Sequence, residues 1–169
     1  MRRLLPFVLL VAVACGAGGA QAPAVTGTDL VCVESFCASH PNGWSFATGT
    51  DFIGFQVDDA EVVDVVANAA VFDPQGVVEA VGGTWPAPTR EVSEAFWQLL
   101  AEGSGASLDE IVVLDDGSVR SRGGFDGGVL WHRMIVNSDG SGIGVEMRAP
   151  NSSWEPHADV FLNGLVVQP

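Results

Sequence analysis

The sequence predicts an α+β domain, with a mainly antiparallel sheet flanked by two helices. Three observations carry that prediction. Segments that alternate apolar and polar residues recur along the chain, as half-buried strands require. Short turn-forming sequences join them, so neighbouring strands run antiparallel. Two stretches, opening near Thr89 and near Trp154, instead place apolar residues at helical spacing, and packing on a sheet is the simplest way to bury such stripes.

The chain begins with the basic Met1-Arg2-Arg3, followed by the uncharged run Leu4–Ala14. That run suits a secretory signal and is too short to cross a bilayer, which takes roughly 20 residues. Two processing routes are open. Ala12-Val13-Ala14-Cys15 resembles a bacterial lipobox, in which Cys15 is lipidated and becomes the mature N-terminus, although Ala12 stands where such boxes usually carry Leu. Ala20-Gln21-Ala22 offers ordinary cleavage near Ala22 and a secreted, soluble product. Of the 3 cysteines, Cys32 and Cys37 can pair; lipidation of Cys15 then leaves no free thiol. Export supplies the oxidising surroundings in which a disulfide persists. Residues 1–22 therefore read as signal and start of the tether, and 23–40 as tether and disulfide-bearing segment. Residues 41–169 read as a single α+β domain. Gly16–Thr28, small and polar, reads as a flexible tether.

Asp29–Ser39 reads as an extended segment. Trp44–Phe46 and Phe52–Val57 form a hairpin around Gly49-Thr50-Asp51, and the aromatics Trp44, Phe46, Phe52 and Phe55 read as core. Asp58–Phe72 carries both strand and helix patterns, and its valines favour strand. Asp73-Pro74-Gln75-Gly76 reads as a turn and Val77–Val81 as a short strand. Thr89 can cap the first helix, whose stripe is Val92, Ala95, Phe96, Leu99 and Leu100, with Gly103-Ser104-Gly105 as its stop. Asp109–Leu114 and Ser118–Arg122 read as a hairpin over Asp115-Asp116-Gly117.

The last forty residues have the cleanest periodicity. Val129–Val136 is apolar on both sides except at His132 and Arg133, as in a strand covered on both faces. Gly142–Arg148 alternates, with Ile143, Val145 and Met147 on one side. Ser152 or Ser153 can cap a closing helix with Pro156 in its first turn. Its stripe is Trp154, Ala158, Phe161, Leu162 and Leu165, and Gly164 can end it.

Charge is strongly one-sided. The chain has 7 Lys+Arg against 21 Asp+Glu, a formal net charge of −14. No lysine is present, and without Arg2 and Arg3 the balance is 5 against 21, or −16. Such a surface repels nucleic acid and anionic lipid headgroups.

Chemistry-bearing motifs are sparse. No Gly-x-Ser-x-Gly elbow occurs, and nothing in the sequence selects a catalytic base among His40, His132 and His157. His132 shares a strand face with Leu130, Met134 and Val136 and reads as a core or rim histidine. Gly140-x-Gly142-x-Gly144 has a strand after it rather than the helix a phosphate loop needs. Asn137, Asp139 and Ser141 start like a calcium loop, but Arg148 stands where the bidentate Glu belongs. Cys32, Cys37 and His40 lack a nearby fourth metal ligand. The expectation is therefore no catalytic, metal or cofactor site.

The order Pro41-Asn42-Gly43-Trp44, aromatic hairpin, mid-chain helix, several strands and closing helix resembles the PsbP-like family. That family includes extrinsic photosystem proteins, a Ran-binding nuclear import factor and many bacterial lipoproteins. The resemblance spans Pro41 to Val167 and is most specific at Gly43-Trp44 and Gly142–Leu165. It implies an α/β/α sandwich and a binding or assembly role, and it supplies no catalytic residue.

The functional expectation is an exported, lipid-anchored envelope protein with a non-catalytic role, held to the membrane only by its anchor. Its partner is an envelope protein or, in the alternative, a small apolar ligand or lipid taken between sheet and helix. A hydrolase ranks third.

Overall fold

The computed structural model describes residues 21–59, 62 and 64–168. Cys15 and the apolar N-terminal run lie outside the described residues. In chain order the strands are β1 (Thr28–Cys32), β2 (Phe36–Pro41), β3 (Trp44–Thr48), β4 (Phe52–Val57), β5 (Val66–Phe72), β6 (Ser107–Val113), β7 (Val119–Phe125), β8 (Gly128–Val136), β9 (Gly142–Ala149) and β10 (Val166–Val167). The helices are α1 (Pro74–Ala80), α2 (Thr89–Ser104) and α3 (Glu155–Asn163). Seven strands form an antiparallel sheet in the order β3-β4-β5-β9-β8-β7-β6, and a smaller sheet has the order β1-β2-β10. The class is α+β, as the patterning predicts, with three helices among the described residues rather than two.

The extra helix corrects the reading of Asp73–Val81. Pro74 sits in the first turn of α1, where its missing N–H costs nothing. Val78 then packs with Val92 and Ala95 of α2 and with Val119 and Met134 of the sheet. Burial on this face overrides the strand preference of the valines. Asp58–Phe72 is strand from Val66 onward, with Ala67 and Ala69 buried.

The central strands β8 and β9 organise the layers. Trp131 faces the core formed with α3, together with Ile143, Val145 and Met147. Leu130 and Met134 face the opposite side and pack under α2. This alternation is the expected consequence of a strand covered on both faces. The small sheet joins the α3 side through Phe36 and Ala38, both fully buried.

Helix boundaries differ from expectation in instructive ways. Pro88, not Thr89, is the N-cap residue of α2, and the helix ends at Gly105 in the left-handed region, φ 69°. Trp97 joins the buried face, because its Nε1–H donates to Ser121 Oγ at 2.8 Å. Neither Ser152 nor Ser153 caps α3, whose N-cap residue is Trp154 with no side-chain cap bond. Both lie in a 3-10 turn, Ser152–Trp154, capped by Asn151, whose Oδ1 accepts from the Ser153 N–H at 2.9 Å. Gly164 follows α3, and β10 then pairs with β2.

The aromatic hairpin is only half core. Trp44 and Phe55 are buried, whereas Phe46 and Phe52 are 51% and 45% exposed. Phe46 lies on the sheet's edge strand, with a neighbour on one side only. Phe52 points to the face opposite Ile53 and Phe55, while α2 packs over β6, β7 and β8.

Asp29–Ser39 is a hairpin rather than a single extended run. Cys32 and Cys37 sit opposite one another at its turn and form a disulfide. By the loop-closure relation, so short a loop adds about 2 kcal/mol. The bond places the domain in an oxidising, extracytoplasmic compartment.

Residues 22–27, just before β1, are fastened to the domain, where composition suggests a tether free to Thr28. The Ala22 N–H donates to Ser153 Oγ at 3.2 Å, and the Gly27 carbonyl accepts from the Asn42 N–H at 2.9 Å. Between them, His157 Nε2 lies 2.8 Å from the Pro23 carbonyl, and Trp44 Nε1 lies 3.3 Å from His157 Nδ1. Indole N–H is a donor only, so Nδ1 accepts and Nε2–H donates to Pro23. His157 therefore serves as a structural clamp.

Arg133 is the one buried cation on the α3 side of β8. Its Nε donates to Ser118 Oγ at 3.0 Å, Nη1 to the Leu162 carbonyl at 2.6 Å and Nη2 to Asp116 Oδ2 at 2.6 Å. The Leu162 carbonyl belongs to the last turn of α3, where carbonyls lack intrahelical partners. Asp116 is half exposed, so its Coulombic share is small. Arg133→Met is expected to cost about 2 kcal/mol through the lost bonds to Leu162 and Ser118. Urea denaturation of the two chains measures it.

Candidate functional site: a cavity beneath helix α2

A cavity of about 280 Å³ lies between α2 and the sheet. Helix α2 contributes Phe96, Leu99, Leu100, Gly103 and Ser104, and α1 contributes Val77. The sheet contributes Phe72 from β5 and His132 and Met134 from β8. The lining is almost wholly apolar, with His132 and Ser104 as its polar side chains.

The gap follows from how this face of the sheet is built. Its apolar residues fall into two clusters, one around Val92, Val119 and Met134, the other around Trp97, Leu100 and Leu130. Between them runs a row of polar residues set opposite one another across neighbouring strands. Asn68 on β5 faces Glu146 on β9, Glu146 faces His132 on β8, and His132 faces Ser121 on β7. Ser121, His132 and Glu146 are buried. Polar side chains here interrupt the apolar packing that would otherwise close α2 onto the sheet.

His132 is the centre of that row. Its ring stacks on Phe96 with centroids 4.5 Å apart and planes 23° from parallel. Burial pushes its pKa down to about 3, so the imidazole is neutral at physiological pH. Its buried Nδ1 has no hydrogen-bond partner. Gly144 makes room for the ring: a Cβ there would stand 3.1 Å from His132 Nε2.

Ser121, His132 and Glu146 are the residue types of a nucleophile, a base and an orienting carboxylate. They are not wired together. The Ser121 hydroxyl oxygen accepts from Trp97 Nε1, and Ser93 Oγ lies 3.5 Å from it. Glu146 Oε1 accepts from Asn68 Nδ2 at 2.9 Å and lies 3.5 Å from Arg148 Nη2. A base oriented for proton transfer needs a bond from its other ring nitrogen, which His132 Nδ1 lacks. Ser121 and Glu146 are thus each held by partners other than His132.

The remaining sequence candidates are placed elsewhere. His40 packs against Phe46 and Phe55, with Nδ1 3.1 Å from the Pro41 carbonyl. Asn137–Ser141 is the β8–β9 hairpin turn. Its Asp139 accepts from the Ser141 hydroxyl and N–H, bonds that lower the carboxyl's pKa. Among the described residues no group of three or more His, Cys, Asp or Glu side chains could hold a metal, and no helix is long and apolar enough to cross a membrane. Sequence reasoning placed His132 on the correct face but missed Asn68, Ser121 and Glu146, whose alignment depends on strand register. No family model and no curated protein matches this chain.

Proposed function

We propose that this chain is an exported, lipid-anchored, non-catalytic binding protein. Its domain takes up a small apolar ligand between α2 and the sheet. The observation that carries the reading is the apolar cavity lined by Phe72, Leu99, Leu100 and Met134. At about 280 Å³ it falls near the lower end of small-molecule sites, which span roughly 300–1,000 Å³. A cavity of ~150 Å³ lined by apolar side chains takes up benzene, so a body about twice that size fits here. The resemblance to PsbP-like proteins in the sequence, which implies a binding or assembly role, is the other support for this reading.

Leu99 lines the cavity and is only partly buried. Leu99→Trp is therefore expected to fill the site and weaken naphthalene binding by at least about tenfold, which corresponds to 1.4 kcal/mol. Stability should change by less than about 1.5 kcal/mol. Calorimetric titration of the wild-type and variant proteins tests this. Equal binding by the two would remove the cavity as the site.

Anchoring rests on Cys15 and is tested separately. Labelled palmitate should enter the wild-type chain and be absent from Cys15→Ala. Incorporation that survives the change would overturn the anchor and leave cleavage near Ala22 as the route.

A further inference from the structure

The cavity reading can be taken one step further, to the chemistry of its ligand; this step rests on that reading. We infer that the ligand is amphipathic: an apolar body fills the space under α2, and an uncharged hydroxyl-type head hydrogen-bonds to His132.

The body is set by the walls, where Phe72, Leu99 and Met134 offer shape and no hydrogen bonds. The head is set by the polar row. His132 is a wall residue of the cavity, 3% exposed, with Nδ1 lacking a partner. An unpaired nitrogen in so dry a place is costly, and a ligand group that bonds it recovers that cost. The ring has a route to such a group. A half-turn about Cβ–Cγ exchanges the positions of Nδ1 and Cδ2 within nearly the same outline, and this torsion is broad and roughly two-fold. A nitrogen can thus face the cavity without displacing Phe96.

Charge selects among heads. Glu146 sits directly opposite His132 and is 4% exposed. A carboxylate head would be brought against that side chain in a space with little water, where like charges repel strongly. An ammonium head would lose its hydration for a Glu146 already in contact with Asn68 and Arg148. A hydroxyl loses little on entry and both donates and accepts, so it suits either tautomer of the neutral ring.

The test compares compounds that share one body: naphthalene, naphthol, naphthoate and naphthylmethylamine, titrated calorimetrically into the purified protein. Naphthol is expected to bind about tenfold more tightly than naphthalene, the worth of one well-made buried hydrogen bond. Naphthoate and the amine should bind no better than naphthalene. In His132→Phe the ratio of naphthol to naphthalene affinity should fall from about ten to about one, whatever the change in naphthalene binding itself. A second measurement needs no variant: in the wild-type protein the ring-nitrogen resonances of His132 should shift on adding naphthol and hold on adding naphthalene. The inference is overturned if naphthol binds no tighter than naphthalene, if a charged head binds best, or if those resonances ignore naphthol. Failure of every compound to bind would instead overturn the cavity reading itself.

Discussion

Lowering the pH from 7 to 4.5 is expected to cost the folded protein about 3 kcal/mol through His132 alone. The imidazole's pKa is pushed by burial to about 3, against an ordinary value of 6.5. Between those values the unfolded chain binds a proton that the folded chain refuses. Stability therefore falls as pH falls below about 6.5, by up to roughly 1.4 kcal/mol per pH unit, and levels off near the folded value. Asp116 responds in a lower window. Hydrogen bonds from Ser118, then the Arg133 guanidinium, hold its carboxyl below the usual range. Its contribution is present above the ordinary carboxylate pKa and is lost as pH falls through the depressed one. The difference between wild type and His132→Phe in urea denaturation between pH 7 and 4.5 isolates the histidine. His132→Phe should flatten most of the slope in that window. An unchanged slope in the variant would show that the ring is hydrated in solution.

The second large effect is expected at Phe161. This residue of α3 is fully buried. Its ring meets Trp44 edge-on and Phe55 at a tilt, each with centroids 4.9 Å apart. Phe161→Ala deletes a ring that ties the closing helix to the β3–β4 hairpin across most of the chain's length. The lost burial and the cavity left behind should cost about 4 kcal/mol. In a domain of this size that lowers the thermal midpoint by roughly 10 °C or more. Scanning calorimetry measures it, and a loss below about 1 kcal/mol would mean that Trp44 and Trp154 collapse into the space.

Much of this architecture is legible in the residue pattern, and the limits are physical. The stripe Trp154, Ala158, Phe161, Leu162 reports burial directly, because period and face are local properties. Alternation in Gly142–Arg148 marks the strand and its α3-facing side but misleads about the other, where Gly144 and Glu146 are buried as well. The two-sided burial of β8 follows from an apolar run broken only by His132 and Arg133, and both breaks proved informative. Val77–Val81 misleads because valine's local preference yields to packing against Val92 and Ala95. Phe46 and Phe52 mislead because aromatic bulk says nothing about which strands a helix will cover. The polar row is invisible for a different reason. Asn68, Ser121, His132 and Glu146 are far apart in the chain and meet only through the register of four strands. The cavity is a property of that row and of Gly144, and no window of sequence contains them all.

The fastened segment Ala22–Gly27 has a consequence for reach. With an acyl anchor at Cys15, six residues, 16–21, would stand between the anchor and the docked Ala22. Fully extended at about 3.5 Å per residue, that leash spans only roughly 20 Å. The domain would hover within about its own diameter of the lipid surface and could not travel to meet a distant donor. Whatever fills the cavity would be picked up and handed on at that surface, so the leash length, more than affinity, would decide which neighbours can exchange ligand with it.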